Sequence, residues 1–483
     1  MINFYKDHFK LTTVYTFFAA FPALLQLVVY PVIEGEKKLG AIDFGYLAIT
    51  EAIISIIFII CTFGMGSGIT RFFYDFKDSR EKYNKLVSTV ISGIIGRGML
   101  LMGLVLILAP FIGSLFTDPA LQDFSGYGPS LVISGFNRSI LATLLALYRN
   151  EKRVRIFIFA SFFSAILRSG FQLTGVLFYD LSFLGYVHGT ALGGSFIATG
   201  LIIYSYYKCG FHYNKQILKS LFSFTRPLFF SDLILWGLLF ADRFFLLKNP
   251  GELGIYDNAM KFAIGIQLII QGLTNAIQPE IFRFLKEGVR VKASEIKTLS
   301  NLFLAESISI TVLAILPVMI FITLFYETEL NLSSGLVAII FVRFILTAQY
   351  QVFAMPLMYS GKTRIFFYIN SGVFTLNLGL NWLLTPVLGY YGSIIAFFSA
   401  YFLQVILFSI LQQKIIPIDW NRTKILYFPI AVVITAILME ILKIILEVDP
   451  FLSAVIYVFV VLSSLFFLYR KELTGYIRLY YDR

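Results

Sequence analysis

Charge is scarce in this chain. Only 14% of its 483 residues are Asp, Glu, Lys or Arg, against roughly 25% in soluble proteins, so a set of soluble domains is excluded. Cysteine and histidine are scarcer still. Cys61 and Cys209 cannot build a disulfide framework or a thiolate cluster, and His8, His188 and His212 are too scattered for a histidine metal site. Strand-like alternation is absent. Long polar segments are lacking too: the longest breaks between apolar runs, 208–226 and 280–298, leave no room for a soluble catalytic or receptor domain. A membrane glycan polymerase or ligase, the enzyme-class alternative, would need a sizeable outer loop with catalytic charges. What the chain does have is apolar surface, with 58% hydrophobic residues, 52 phenylalanines and a mean hydropathy of +0.80. It reads as an all-α, polytopic membrane protein.

A hydrocarbon core needs about 20 mostly apolar residues per helix. Fourteen such runs are expected, near 10–32, 44–69, 86–110, 128–148, 156–178, 185–207, 227–247, 254–279, 299–326, 334–358, 365–387, 389–411, 425–446 and 452–469. Short cytoplasmic loops retain Lys and Arg, which sets the orientation. With the N-terminus inside, 29 of the 39 basic residues fall in cytoplasmic segments and 3 outside (Lys37, Lys38, Lys248), while 7 lie within spans. Both termini are therefore expected in the cytoplasm. The net charge of +11 is mainly a topology signal, with some attraction to anionic lipid, and it implies no nucleic acid. The sequence Ser360-Gly361-Lys362-Thr363 mimics the end of a phosphate-binding loop, but Pro356 stands where the first glycine belongs and a span precedes it. An ion gradient of H+ or Na+, not ATP, is the expected energy source, and no cofactor or metal is expected.

The chain repeats itself. Leu131-Val132 and Arg138-Ser139-Ile140-Leu141 recur as Leu336-Val337 and Arg343-Phe344-Ile345-Leu346, at an offset of 205. Phe44-Gly45, Arg155-Ile156-Phe157 and Leu184-Gly185-Tyr186 recur as Leu253-Gly254, Arg364-Ile365-Phe366 and Leu388-Gly389-Tyr390, at offsets of 209, 209 and 204. A repeat of six spans keeps both copies in one orientation, related by an axis along the membrane normal. The expected organisation is an N-lobe at 1–207, a cytoplasmic linker at 208–226, a C-lobe at 227–411, and spans 13–14 with a tail at 412–483. Two such lobes are the physical basis for alternating access.

Two stretches carry a family resemblance. Gly64-Met65-Gly66-Ser67-Gly68-Ile69-Thr70-Arg71-Phe72-Phe73-Tyr74, and Asp242-Arg243-Phe244-Phe245-Leu246 followed by Gly254-Ile255-Tyr256, resemble the corresponding junctions of polysaccharide transporters. With the span count and two-lobe layout, the chain resembles the lipid-linked oligosaccharide flippase branch of the multidrug/oligosaccharidyl-lipid/polysaccharide exporter superfamily. The resemblance implies a bacterial inner-membrane protein that flips undecaprenyl-pyrophosphate-linked glycans outward, with lipid-linked oligosaccharide, membrane lipids and polysaccharide assembly proteins as partners. A cation-coupled multidrug exporter of the same fold is the alternative.

Charges within the spans locate the candidate site. A mid-span Arg costs about 2.5–3.5 kcal/mol on insertion scales, so each asks for a cavity, an anion or a partner. Arg97, Arg138 and Arg168 lie in spans 3, 4 and 5, and Glu51 is the one deep carboxylate of that lobe. Together with Arg343, the repeat mate of Arg138, they are expected to bind a pyrophosphate in the cleft, since the planar guanidinium is bidentate. The alternative is that they bridge helices through backbone carbonyls or Glu51. Ser134, Asn137, Ser161, Ser164 and Gln172 accompany them at helical spacing, which suggests a wet face. Glu51, Asp232 and Asp242 are the candidates for ion coupling. In the C-lobe, Lys261, Gln271, Asn275, Asn377 and Asn381 are candidates to line a polar cavity, with an Asp257–Lys261 bridge and interhelical hydrogen bonds as alternatives. Gly185, Gly189 and Gly193 predict close helix packing, and Glu440 and Lys443 are expected to snorkel at the membrane edge.

Overall fold

In hydrocarbon every backbone N–H and C=O has to be bonded within its own segment, so runs this apolar fold as helices. The computed structural model describes residues 2–362 and 364–481. Thr363 of the basic turn lies outside the described residues, as do the side chains of Lys6 and Lys10. In chain order the helices are α1 (Ile2–Ile33), α2 (Ala41–Thr62), α3 (Met65–Phe76), α4 (Arg80–Ser114), α5 (Pro119–Gln122), α6 (Phe124–Asn150), α7 (Val154–Leu177), α8 (Ser182–Cys209) and α9 (Lys215–Leu246). They continue with α10 (Pro250–Glu287), α11 (Ala293–Leu313), α12 (Ile315–Phe325), α13 (Val337–Tyr359), α14 (Arg364–Leu388), α15 (Tyr390–Ile415), α16 (Phe428–Ile445) and α17 (Pro450–Tyr481). The described residues contain no β-strand, only an isolated bridge between Glu34 and Leu39.

Eleven helical segments among the described residues are long and apolar enough to cross a membrane. The three other expected runs fall on α1, α9 and α14. The apolar part of α1 is the shorter Phe17–Ile33. Asp232, Asp242 and Arg243 interrupt the apolar stretch of α9, and Asn370, Asn377 and Asn381 that of α14.

Two expected spans are interrupted helices. Between α2 and α3, Phe63 and Gly64 are both left-handed, with φ of 47° and 67°. Glycine takes this conformation freely, whereas Phe63 pays about 1–2 kcal/mol for it. Between α11 and α12, Pro317 removes an amide donor just past the break at Ala314.

The chain divides into two compact units, Met1–Gly254 and Ile255–Arg483. The first continues through the 208–226 segment, because α9 starts there and packs on α2, α3 and α4. Within it, α7 and α8 lie backbone to backbone. A Cβ on Gly185 would sit 2.4 Å from the Gly175 carbonyl oxygen, one on Gly189 2.5 Å from that of Phe171, and one on Gly193 2.6 Å from the Arg168 Cα. Within the second unit Gly392 seats α15 against the Leu384 backbone in the same manner.

Glu440 and Lys443 do not snorkel. Their side chains are 10% and 13% exposed and form a 2.6 Å ion pair. Tyr391 donates to the carboxylate, and Lys443 donates to the Gly335 carbonyl. Neighbouring helices cover this end of α16, so the pair ties elements of the second unit together.

Candidate functional site

On α6 the neighbours of Arg138 point inward: Ser134, Asn137 and Ser139 are buried. Arg138 faces outward and crosses to α2, where its Nη1 meets the Glu51 carboxylate at 2.7 Å. Ser55 joins the pair, and the guanidinium lies 5.2 Å from the Phe58 ring centroid. Both charged side chains remain about half open, at 47% and 49% exposure. A guanidinium carries five donors, so the bond to Glu51 leaves a face of Arg138 for a second anion.

Phe58 also walls a cavity of about 670 Å³ within the first unit. The break between α2 and α3 shapes it, with Gly64, Gly66, Ser67, Thr70, Arg71 and Tyr74 along one side. Ala142, Ala146 and Arg149 continue the Arg138 face of α6 along another side, and Asp232 enters from α9. Arg71 is held by Asp75 at 2.8 Å. Arg149 and Asp232 form no ion pair among the described residues. The cavity thus holds one unpaired cation and one unpaired carboxylate beside an ion pair open enough to exchange partners.

Arg71 and Arg149 were not among the residues expected from sequence, because both count as loop charges there. The signals were present: Arg71 closes the glycine-rich stretch, and Arg149 lies three turns from Arg138 on the same helix face.

The other sequence candidates of this unit are placed differently. Arg97 donates from Nε to the Cys61 carbonyl at 2.7 Å and from Nη2 to that of Thr62 at 3.4 Å. The helix break at Phe63–Gly64 strips those carbonyls of their usual donors. Arg97 therefore caps α2, flanked by Phe63 and Phe222, which is the helix-bridging alternative. Arg97→Gln is expected to lower the melting temperature and the yield of purified protein, since carbonyls left unsatisfied cost about 1–3 kcal/mol each. Unchanged melting would show that the cap contributes nothing.

Arg168 is half-buried beside the α7–α8 contact, and its Nε finds no hydrogen-bond partner among the described residues. Polar residues close to it form a largely buried network. Gln26 bonds Ser169 and Gln172, Tyr186 donates to Gln26, and Gln172 donates to Thr190. Glycine contacts bring α8 close enough to cover this face, so its polarity joins α1, α7 and α8. Asp242 is buried, with its carboxylate accepting from the Arg243 backbone amide and guanidinium.

Within the second unit, Arg343 is buried between the rings of Phe344 and Phe397, at 4.9 and 4.5 Å. Lys261 pairs with Asp257 at 3.3 Å on one buried helix face. Asn381 bonds Asn377 and Thr385, and Thr385 bonds Ser393 of α15. The first two run along α14, and the Thr385–Ser393 bond joins it to α15. Gln271 and Asn275 are exposed and bond each other at 3.0 Å.

Residues 39–354 match the family described as polysaccharide biosynthesis protein. No curated protein sequence matches the chain. Among solved structures it is similar to lipid II flippase MurJ in an inward closed conformation, at 13% identity and a TM-score of 0.72, over 95% of this chain and 100% of that one. It is also similar to an inward-facing multidrug resistance MATE family transporter of the MOP superfamily, at 14% identity and a TM-score of 0.60, over 81% of this chain and 95% of that one. A ligand complex of the MATE multidrug transporter DinF-BH gives 17% identity and a TM-score of 0.59, over 86% of this chain and 95% of that one. At such identities the likeness is one of fold. These neighbours are a flippase and transporters, not enzymes.

Proposed function

This chain belongs to the polysaccharide biosynthesis protein family, and from that premise we propose that it flips an undecaprenyl-pyrophosphate-linked oligosaccharide from the cytoplasmic to the outer leaflet of a bacterial inner membrane. Movement is by alternating access, driven by an H+ or Na+ gradient without ATP or another cofactor. Both termini lie in the cytoplasm, where polysaccharide assembly proteins supply the substrate.

The observation that carries this reading is the half-open Arg138–Glu51 pair beside the cavity of Arg71 and Arg149. A pyrophosphate bearing sugars cannot shed its water into hydrocarbon without a compensating polar surface. Arg138 offers that surface by exchanging Glu51 for the phosphate, with Arg149 next along the same helix face. The exchange also supplies a means of coupling. Once the phosphate has left at the outer face, Glu51 takes up a proton or Na+ there and releases it to the cytoplasm when it pairs with Arg138 again, so the ion moves inward as the lipid moves outward. Asp232, in the same cavity and without an ion partner among the described residues, is the second coupling carboxylate.

The carboxylate at Asp232 also favours one other reading, a MATE-like exporter of organic cations. Reconstituted vesicles carrying a fluorescent lipid-linked oligosaccharide test the coupling. Flipping is expected to accelerate when a proton or Na+ gradient is imposed, and Asp232→Asn is expected to remove most of that acceleration. A rate indifferent to both gradients would overturn the ion-driven mechanism.

A further inference from the structure

A second cavity, of about 410 Å³, lies in the first unit apart from the one just described. It sits where α4 and α7 begin and α6 and α8 end, on the side that the Lys/Arg count places in the cytoplasm. Its cations are Arg80, Arg153 and Lys208. Arg153 is already neutralised by Glu151, at 3.0 Å, and Tyr83 donates to the same carboxylate. Arg80 and Lys208 have no acidic partner among the described residues, so the cavity keeps two unbalanced positive charges at its exposed rim.

The wall carries an unmet donor. Tyr148 lines the cavity with 2% exposure, yet its hydroxyl has no partner at hydrogen-bond geometry, with Ser205 beside it. A buried hydroxyl left in this state costs free energy unless something accepts from it. Val87, Leu147 and Ile156 add apolar wall beside the polar groups of Asn84, Tyr204 and Ser205. Two free cations at the rim, a buried donor within and a wall part apolar and part polar suit a phosphate carried on an amphiphile or free in solution better than a cation.

We infer that this cavity is a binding site for a phosphate-bearing anion, held by Arg80 and Lys208 and accepting a hydrogen bond from Tyr148. The chemistry is shared by the headgroup of an anionic phospholipid in the adjoining leaflet and by a soluble phosphate. The site is separate from the transport cavity and does not depend on what that cavity carries.

The test is native mass spectrometry of the purified full chain titrated with phosphatidylglycerol, phosphatidylcholine or inorganic phosphate. Phosphatidylglycerol is expected to occupy one site that zwitterionic phosphatidylcholine does not. Each rim charge contributes about 1 kcal/mol to an anionic headgroup. The double variant Arg80→Gln, Lys208→Gln should therefore weaken binding roughly thirtyfold. Tyr148→Phe removes only the hydroxyl and should weaken binding without lowering the melting temperature; it decides the matter if the double variant fails to fold. Binding of inorganic phosphate alone, lost in the same variants, would keep the site and assign its occupant to the soluble pool. If neither probe distinguishes the wild type from the variants, the site does not exist.

Discussion

Arg138→Gln is expected to reduce flipping of lipid-linked oligosaccharide to background, while the protein still inserts and accumulates. A hydrogen bond to a charged group is worth about 1.5–3 kcal/mol, hence roughly tenfold to more than hundredfold in affinity for each bond lost. Arg138→Lys should retain part of the activity, because the charge survives without the bidentate geometry. The partner residue separates binding from scaffolding. If the pair only joined α2 to α6, Glu51→Gln and Arg138→Gln would have equal effects and the double variant would be no worse. If Arg138 binds the substrate anion, Glu51→Gln frees a guanidinium. Such a protein should bind an undecaprenyl pyrophosphate as tightly as the wild type or more tightly, yet lose its response to the ion gradient. Equal loss of binding in both single variants would return Arg138 to a structural role.

Gly189→Val is expected to remove nearly all folded protein. The added Cβ would stand 2.5 Å from the Phe171 carbonyl oxygen and 2.6 Å from the Gln172 amide nitrogen, both backbone atoms that cannot yield. The helices would have to part, opening the Gln26–Ser169–Gln172–Tyr186–Thr190 network along with their contact. Gly200→Ala is the control, since nothing lies within 4 Å of its added Cβ. The quantity to measure is monodisperse protein recovered from solubilised membranes. Normal recovery of Gly189→Val would mean that α7 and α8 do not pack at this distance.

The glycine contacts were legible in the sequence because spacing of four repeats one helix face and no other residue permits such an approach. Helical spans were legible for an equally direct reason, since nothing but helices can carry runs this apolar through lipid. Polar stripes were harder. Period reveals that Ser161, Ser164 and Gln172 accompany Arg168 at helical spacing on α7, but not whether water or another helix covers them. Arg97 shows the same limit. Its role as a cap follows from the left-handed pair Phe63–Gly64, and a backbone break leaves no mark in hydropathy. Arg71 and Arg149 were hidden by the loop count, which treats a charge near a span end as topology even when the helix carries it into a cavity.

In the proposed mechanism the first unit receives an anionic lipid headgroup at Arg138. The most direct measurement is the affinity of the purified protein for undecaprenyl pyrophosphate and, in parallel, for a lipophilic organic cation. Binding of the pyrophosphate, weakened at least tenfold by Arg138→Gln and accompanied by no saturable binding of the cation, is the predicted result. Saturable binding of the cation that depends on Asp232, with pyrophosphate affinity unaltered by Arg138→Gln, would contradict it and identify a drug exporter.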